Sequence, residues 1–320
     1  MPKVSAIIPT RNRPELVVKA VHSVLRQTMS DVEAIVVIDG SDERSQIALD
    51  AIGDSRVRVI ALQDGVGGSE ARNTGVRAAT SRWVAFLDDD DEWLPRKLEL
   101  QLAVAERSGS DSVVSVTRFL LRPSEGAESI WPQRFPRPGE PISEYLFCSS
   151  RNVFQTSTLM SSRSLFLEVP FTKGLQRLQD WDWLLRVMAR PGTILETCDE
   201  VLSIYLVHTA TISNKADWRS SLEWARRNRS LITGRAYSCF IAKKCAADAK
   251  RQGAPLRERF ELFRESVVGG SPSLRSVVMF LLYAALPSEE RHRLGDRLFG
   301  ARRRGNVDLS LLEENAATKV

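Results

Sequence analysis

Short continuous runs of branched apolar residues alternate with stretches of helical period through residues 4 to 87, and this alternation limits the fold more than any other feature of the 320-residue chain. The apolar runs cover 4–8, 32–38, 57–62 and 83–87, and helical patterns over 14–27, 43–52 and 69–79 separate them. Strands that are apolar on both faces and joined by helices imply an α/β class, with a mostly parallel central sheet covered by helices on both faces. Sheets of this kind bind ligands at the carboxyl ends of their strands. Those ends carry Pro9-Thr10-Arg11-Asn12-Arg13, Asp39-Gly40-Ser41-Asp42 and the run Asp88, Asp89, Asp90, Asp91, so three polar loops are expected to converge on one crevice.

Four adjacent carboxylates at a strand end call for a counter-charge, and hard divalent ions take oxygen ligands from such groups. The plainer alternative is a solvated acidic turn capping a helix that starts near Pro95. Hydrophobic residues make up 43% and charged residues 27%, which fits a globular chain with one large domain and an appendage. The amino terminus lacks the charged and apolar regions of a signal peptide, so the mature chain is expected to begin there. Cys148, Cys198, Cys239 and Cys245 are scattered without Cys-x-x-Cys pairs, which speaks against a zinc ribbon or a disulfide framework and for a reducing, cytoplasmic setting. The apolar stretch 277–286 is too short to span a bilayer.

Four segments occur in order: Val4-Ser-Ala-Ile-Ile-Pro-Thr-Arg-Asn-Arg-Pro14, Val36-Val-Ile-Asp-Gly-Ser41, Gly68-Ser-Glu-Ala-Arg-Asn-Thr-Gly75 and Phe86-Leu-Asp-Asp-Asp-Asp91. Together they resemble a family 2 glycosyltransferase over roughly residues 1 to 210. The resemblance implies the GT-A fold and inverting transfer of a sugar from a nucleoside-diphosphate donor with Mn²⁺ or Mg²⁺. It places Pro9, Thr10 and Arg11 at the donor. Asp39 matches the carboxylate that accepts the imide N–H of uracil, although Ile38 stands where relatives often carry a second Asp and Arg11 where many carry an aromatic. Arg72 is expected to face the donor. Asp90 is expected as the principal metal ligand, Asp88 at ribose or metal, and Asp89 in the same donor loop. His208, in a Tyr-x-x-His context, is expected at metal or diphosphate.

An acceptor hydroxyl needs a base, and the resemblance assigns that role to Asp180 in Leu178-Gln-Asp-Trp-Asp-Trp-Leu-Leu-Arg186, with Gln179 replacing the usual Glu. Asp180 could instead cap its helix, and Asp182 could pair with Arg186 at i, i+4. Trp181 and Trp183 offer either a sugar-stacking face or core. The expected organisation is a GT-A domain over 1–215, with a donor half to about residue 110 and an acceptor half from 111 to 215, then a basic, mainly helical C-terminal region over 216–320. The proline-rich stretch 122–141 reads as an irregular excursion between the halves.

Residues 216–320 hold 20 Lys and Arg against 12 Asp and Glu, leaving 25 against 28 in the rest. Nucleic acid is not an expected partner, for the basic residues come with no zinc-finger, RNP or helix-turn-helix signal. The expected partners are a nucleotide-sugar donor, probed first as a UDP-sugar, and a saccharide or lipid-linked acceptor in polysaccharide or glycoconjugate synthesis. Basic amphipathic helices are also compatible with peripheral contact at the inner face of a membrane, or with a homodimer. The non-enzymatic alternative is a nucleotide-sugar-binding or scaffold protein without turnover.

Overall fold

The computed structural model describes residues 1–149, 151–207, 217–274, 277–278 and 280. Among the described residues, nine strands form one sheet in the order β3-β2-β1-β4-β8-β6-β9-β5, with β7 paired to β6. Its first four strands, β1 (Val4–Thr10), β2 (Val32–Ile38), β3 (Val57–Ala61) and β4 (Trp83–Phe86), are parallel throughout. The remainder is mixed. There β5 (Asp91–Trp93), β6 (Val113–Pro123), β7 (Ser129–Trp131), β8 (Met160–Ser162) and β9 (Ile194–Val207) pair antiparallel, except for the parallel pair β6 and β9. The proline-rich stretch is therefore more regular than its composition suggests, because β7 folds back on β6.

Helix α1 (Pro14–Leu25) starts with Pro14, whose fixed φ and missing N–H suit a first helical position. It buries Val17, Ala20, Val21 and Val24 on one face at the spacing that a 3.6-residue period requires. Helix α2 (Glu43–Asp50) is capped by Asp42, which accepts the Ser45 N–H and also the Asn12 N–H at 2.6 Å, and so ties the loop after β1 to the loop after β2. Helix α3 (Gly68–Ala78) lies very close to β1: a Cβ on Gly75 would come within 2.4 Å of the Ile7 side chain. Glycine is needed there for contact, not for an unusual φ.

Three more helices complete this unit: α4 (Lys97–Arg107), α6 (Arg163–Glu168) and α7 (Gln179–Met188). The described residues within Met1–Arg137 and Arg151–Lys215 form one compact unit, and those within Pro138–Ser150 and Ala216–Val320 form a second. The second contains α5 (Ile142–Cys148), α8 (Trp218–Arg227), α9 (Gly234–Phe240), a π-helical turn at Ile241–Cys245, α10 (Ala246–Arg251) and α11 (Leu256–Val268). Phe147, Trp224 and Phe240 pack together at its centre, with centroids 5.0 Å apart for Phe147 and Phe240 and 5.3 Å for Trp224 and Phe240. Helices occupy the described part of the expected C-terminal region between residues 218 and 268, and that unit includes a helix contributed from residues 142–148; residues 281–320 lie outside the described residues.

One buried lysine amine stands apart from any ion pair. Lys97 is fully buried on the first turn of α4, its Nζ has no hydrogen-bond partner, and it rests 3.6 Å from the Trp93 ring centre. Burial pushes its pKa well below the ordinary lysine range. The folded state thus favours the neutral amine, while the unfolded chain binds a proton at neutral pH and is favoured by it. Lys97→Met should raise stability by about 1–3 kcal/mol at pH 7 in urea unfolding, with the gain shrinking as pH rises toward the ordinary lysine pKa. An equal or larger gain at alkaline pH would show that the amine is charged in the folded protein.

Candidate active site at the carboxyl edge of the sheet

The loops after β1, β2 and β4 do converge. The Asp39 N–H donates to the Thr10 carbonyl at 2.9 Å, and the Thr10 hydroxyl donates to Asp89 at 2.7 Å. Pro9 lies within β1 opposite Val37, one residue short of this edge. Arg13 places one Nη between two carboxylates, 3.0 Å from Asp89 and 2.8 Å from Asp90. Part of the counter-charge that the acidic run requires is therefore a guanidinium.

The run does not cap a helix. It turns directly into β5, and α4 begins only at Lys97. Its four members diverge in environment: the Asp88 and Asp90 side chains are 28% and 19% exposed, while those of Asp89 and Asp91 are buried. Burial pushes Asp89 up to about 6 against the pull of Thr10 and Arg13. Asp91 is raised well above the carboxylate range, first by burial and then by Asp88. Ser157 holds this turn together: it accepts the Asp88 N–H at 3.0 Å and donates to Asp91 Oδ2 at 2.5 Å. The Asp91 Oδ1 atom is buried without a hydrogen-bond partner.

At the end of β2, Asp39 already accepts main-chain hydrogen bonds, from Val66 N–H at 2.6 Å and from Gly67 N–H at 3.1 Å and 3.2 Å to its two oxygens. Arg11 approaches the same carboxylate at 3.9 Å. The guanidinium lies across Gly65, where a Cβ would meet its Nη1 at 2.5 Å. A carboxylate offers about four acceptor positions, so this loop leaves Asp39 capacity for a further donor.

Arg72 lies in the first turns of α3 and is only 7% exposed. One of its terminal nitrogens donates to Asp88 and the other to Gln179, and its guanidinium sits 5.8 Å from the Phe171 ring centre. It is a buried bridge, not a free surface cation. Gln179 and Asp180 open α7, which follows Leu178 in the left-handed region at φ 64°. Such a φ is costly for a branched side chain and marks a constrained segment. The residue flanking the helix is Leu178, so Asp180 is not its N-cap; its carboxylate accepts the Trp181 N–H, at 2.9 Å. Burial pushes the half-buried Asp180 up to about 6; Asp88 adds to the rise and Arg72 opposes it.

Asp182 is structural, accepting from Arg186 at 2.9 Å and from Thr172 at 2.6 Å. Trp183 is fully buried against Phe166, centroids 4.5 Å apart, and so is removed from any sugar-stacking face. Trp181 remains half-buried at the site. Tyr205 on β9, directly across from Asp91 on β5, was not nominated from sequence. Burial and the charges of Asp91, Asp90, Asp88 and Asp180 push its phenol up to about 12. Only its place three residues before His208 could have flagged it. His208 itself lies outside the described residues.

Among the described residues, no three His, Cys, Asp or Glu side chains converge with metal-ligand spacing. The donor set nevertheless fits a hard divalent ion. Two partly exposed carboxylates, Asp88 and Asp90, would supply oxygen ligands, the neighbouring Asp91 Oδ1 is unpartnered, and such ions commonly complete their shell with phosphate oxygens and water.

The sequence profile described as Glycosyl transferase family 2 matches residues 5–166. The putative teichuronic acid biosynthesis glycosyltransferase TuaG of Bacillus subtilis is 31% identical, over 78% of this chain and 98% of its own length. The Escherichia coli protein named UDP-Glc:alpha-D-GlcNAc-diphosphoundecaprenol beta-1,3-glucosyltransferase WfgD is 35% identical over 32% of this chain and 40% of its own. Among solved structures, S. aureus TarS 1-349 in complex with UDP-GlcNAc superimposes with a TM-score of 0.64, covering 96% of this chain and 95% of that one at 15% identity, which is a likeness of fold.

The Ser157 hydroxyl has two duties in one turn. Ser157→Ala strips Asp91 of one hydrogen-bond donor and Asp88 N–H of its acceptor, and should cost about 1–3 kcal/mol in urea unfolding. A change below about 0.5 kcal/mol would mean that water replaces the hydroxyl without loss.

Proposed function

The chain belongs to glycosyl transferase family 2 and is a glycosyltransferase, and from that premise we propose that it moves a sugar from a UDP-sugar to a hydroxyl of a saccharide or lipid-linked acceptor in polysaccharide assembly, with inversion at the anomeric carbon. The observation that carries the reading is the Arg72 bridge, which holds Asp88 of the donor loop and Gln179, next to Asp180, on a single guanidinium. The UDP-GlcNAc named with the TarS structure and the UDP-Glc in the WfgD name support the donor; the diphosphoundecaprenol in the latter supports a lipid-linked acceptor.

In this reading Asp39 accepts the single imide N–H of uracil beside the guanidinium of Arg11, with Pro9, Thr10 and Asp89 shaping the floor of the donor loop. Asp90 and Asp88 are the residues that would hold Mn²⁺ or Mg²⁺. When bound, such an ion supplies positive charge against the departing diphosphate. Asp180 takes the acceptor proton as the acceptor oxygen bonds to the anomeric carbon and the carbon–phosphate oxygen bond breaks on the opposite face. A carboxylate with a pKa of about 6 suits this task, being ionised at neutral pH yet basic enough to accept a proton.

A thermal-shift panel of UDP-, GDP- and dTDP-sugars with and without Mn²⁺, followed by turnover of the positives, tests the donor. UDP-sugars should stabilise the protein most, more so with Mn²⁺. Asp180→Asn should lower kcat by about 10²–10⁴-fold while UDP binding persists. In the wild type, kcat should fall as pH drops through about 6, because protonation removes the base. Retained anomeric configuration would reject Asp180 as a simple base. Donor binding with neither hydrolysis nor transfer would mark a nucleotide-sugar-binding protein instead.

Peripheral membrane contact extends this reading to a lipid-linked acceptor. No described helix is long and apolar enough to cross a membrane. On α11, however, Leu256, Phe260 and Val267 fall on one stripe and are exposed, in a region with eight more basic than acidic residues. Phe260→Asp should weaken co-flotation with vesicles of anionic phospholipid. Flotation that is absent in the wild type, together with a dimer in light scattering, would assign the stripe to a second copy of the chain.

A further inference from the structure

Asn73 follows Arg72 on α3 and is 3% exposed, too buried to touch either substrate. Its side-chain amide pairs with the main chain of Phe171 in both directions: Nδ2 donates to the Phe171 carbonyl at 2.9 Å, and the Phe171 N–H donates to Oδ1 at 2.9 Å. Two opposed bonds of this kind fix the position of a residue and the orientation of its peptide planes, as one rung of a β-ladder does. The Phe171 ring packs edge-on against Phe86 at the end of β4, with centroids 5.1 Å apart. Phe171 is thus anchored to both the helix and the strand that leads into the acidic run.

Eight residues later, Gln179 is held by Arg72, and its own Nε2 donates to the Leu175 carbonyl at 2.6 Å. The segment 171–179 is therefore pinned to neighbouring residues of α3 at both ends and closed on itself in the middle. It passes through the left-handed Leu178 immediately before Gln179 and Asp180. Left untied, a chain segment has little reason to keep a leucine in that region, which costs about 1 kcal/mol.

We propose that Asn73 is a positioning residue for Asp180: by clamping Phe171 it sets the start of the segment that delivers the base to the donor. The inference rests on the reading of Asp180 as base. Its physical content is that loosening the segment displaces the carboxylate while Asp39, Asp88 and Asp90 keep their places. Misplacement of a reacting group by about 1 Å costs about 100-fold in rate. The loss should therefore fall on kcat and leave donor binding alone.

Asn73→Ala removes both bonds. Asn73→Asp keeps the acceptor for the Phe171 N–H and loses the donor to its carbonyl. UDP affinity by isothermal titration should stay within about threefold of wild type in both, while kcat for UDP release in the presence of acceptor falls about 100-fold in the alanine variant and less in the aspartate variant. Hydrogen exchange should rise over residues 171–180 and stay unchanged over 83–93. If Asn73→Ala fails to fold, Asn73→Asp, which keeps the acceptor for the Phe171 N–H, should show the same split and the same rise in exchange over 171–180. Unchanged kcat, unchanged exchange over 171–180, or a loss of UDP affinity parallel to that of kcat would overturn the proposal. Failure of the parent reading looks different: the wild type itself then gives no turnover.

Discussion

The Arg72 guanidinium joins the two halves of this site, and most of the local architecture follows from the need to satisfy it. A buried cation is tolerated only when its donors are engaged by well-placed acceptors. Asp88 and Gln179 engage its two terminal nitrogens from opposite sides and the Phe171 ring lies beneath, while the buried Nε is left without a hydrogen-bond partner. Gly68 keeps the approach open, for a Cβ there would lie 3.1 Å from Arg72 Nη1 and 3.4 Å from Gln179 Oε1. The end of β4, the start of α3 and the start of α7 thus meet at one charged group.

Strand order explains why that meeting happens where it does. β1 is central, with β2 and β3 on one side and β4 on the other, so the chain runs outward in opposite directions from β1 and leaves a crevice at its carboxyl end. Thr10 and Arg13 leave β1 there and bond to Asp89 and Asp90. The result is five carboxylates, from Asp88 to Asp91 and Asp180, around two guanidiniums, those of Arg13 and Arg72. Burial answers part of that imbalance by raising Asp89, Asp91 and Asp180. A cation arriving with a diphosphate would answer the rest at the two partly exposed members, Asp88 and Asp90.

The parts of this arrangement that read directly from sequence are those whose cause is local. Strand β2 occupies the expected 32–38, and β1, β3 and β4 lie within two residues of their apolar runs, because period and composition are properties of the segment itself. Partnerships across long sequence distance were not legible. Nothing near Ser157 announces a bond to Asp91, and nothing in the Asn73 side chain points to Phe171, 98 residues away. Trp183 could be assigned to core only once Phe166 and Phe171 were seen stacked against it. The prolines between 122 and 141 hid β7, whose three residues pair with β6 and contain no proline themselves.

Gln179 shows how a single departure from the expected carboxylate alters the electrostatics without altering the contacts. Its Oε1 accepts from Arg72, as a Glu oxygen would, so the bridge survives. What changes is charge. A glutamate would divide the Arg72 cation between two anions and set a further negative charge next to Asp180, raising the cost of ionising it. The amide leaves the Arg72 charge opposed by Asp88 alone among its two hydrogen-bond partners, so more of its field reaches Asp180, where it opposes the effects of burial and of Asp88. The amide also keeps a donor, Nε2, that a carboxylate lacks, and uses it on the Leu175 carbonyl to close the segment preceding the base. One neutral side chain therefore serves both the placement and the ionisation of the carboxylate beside it.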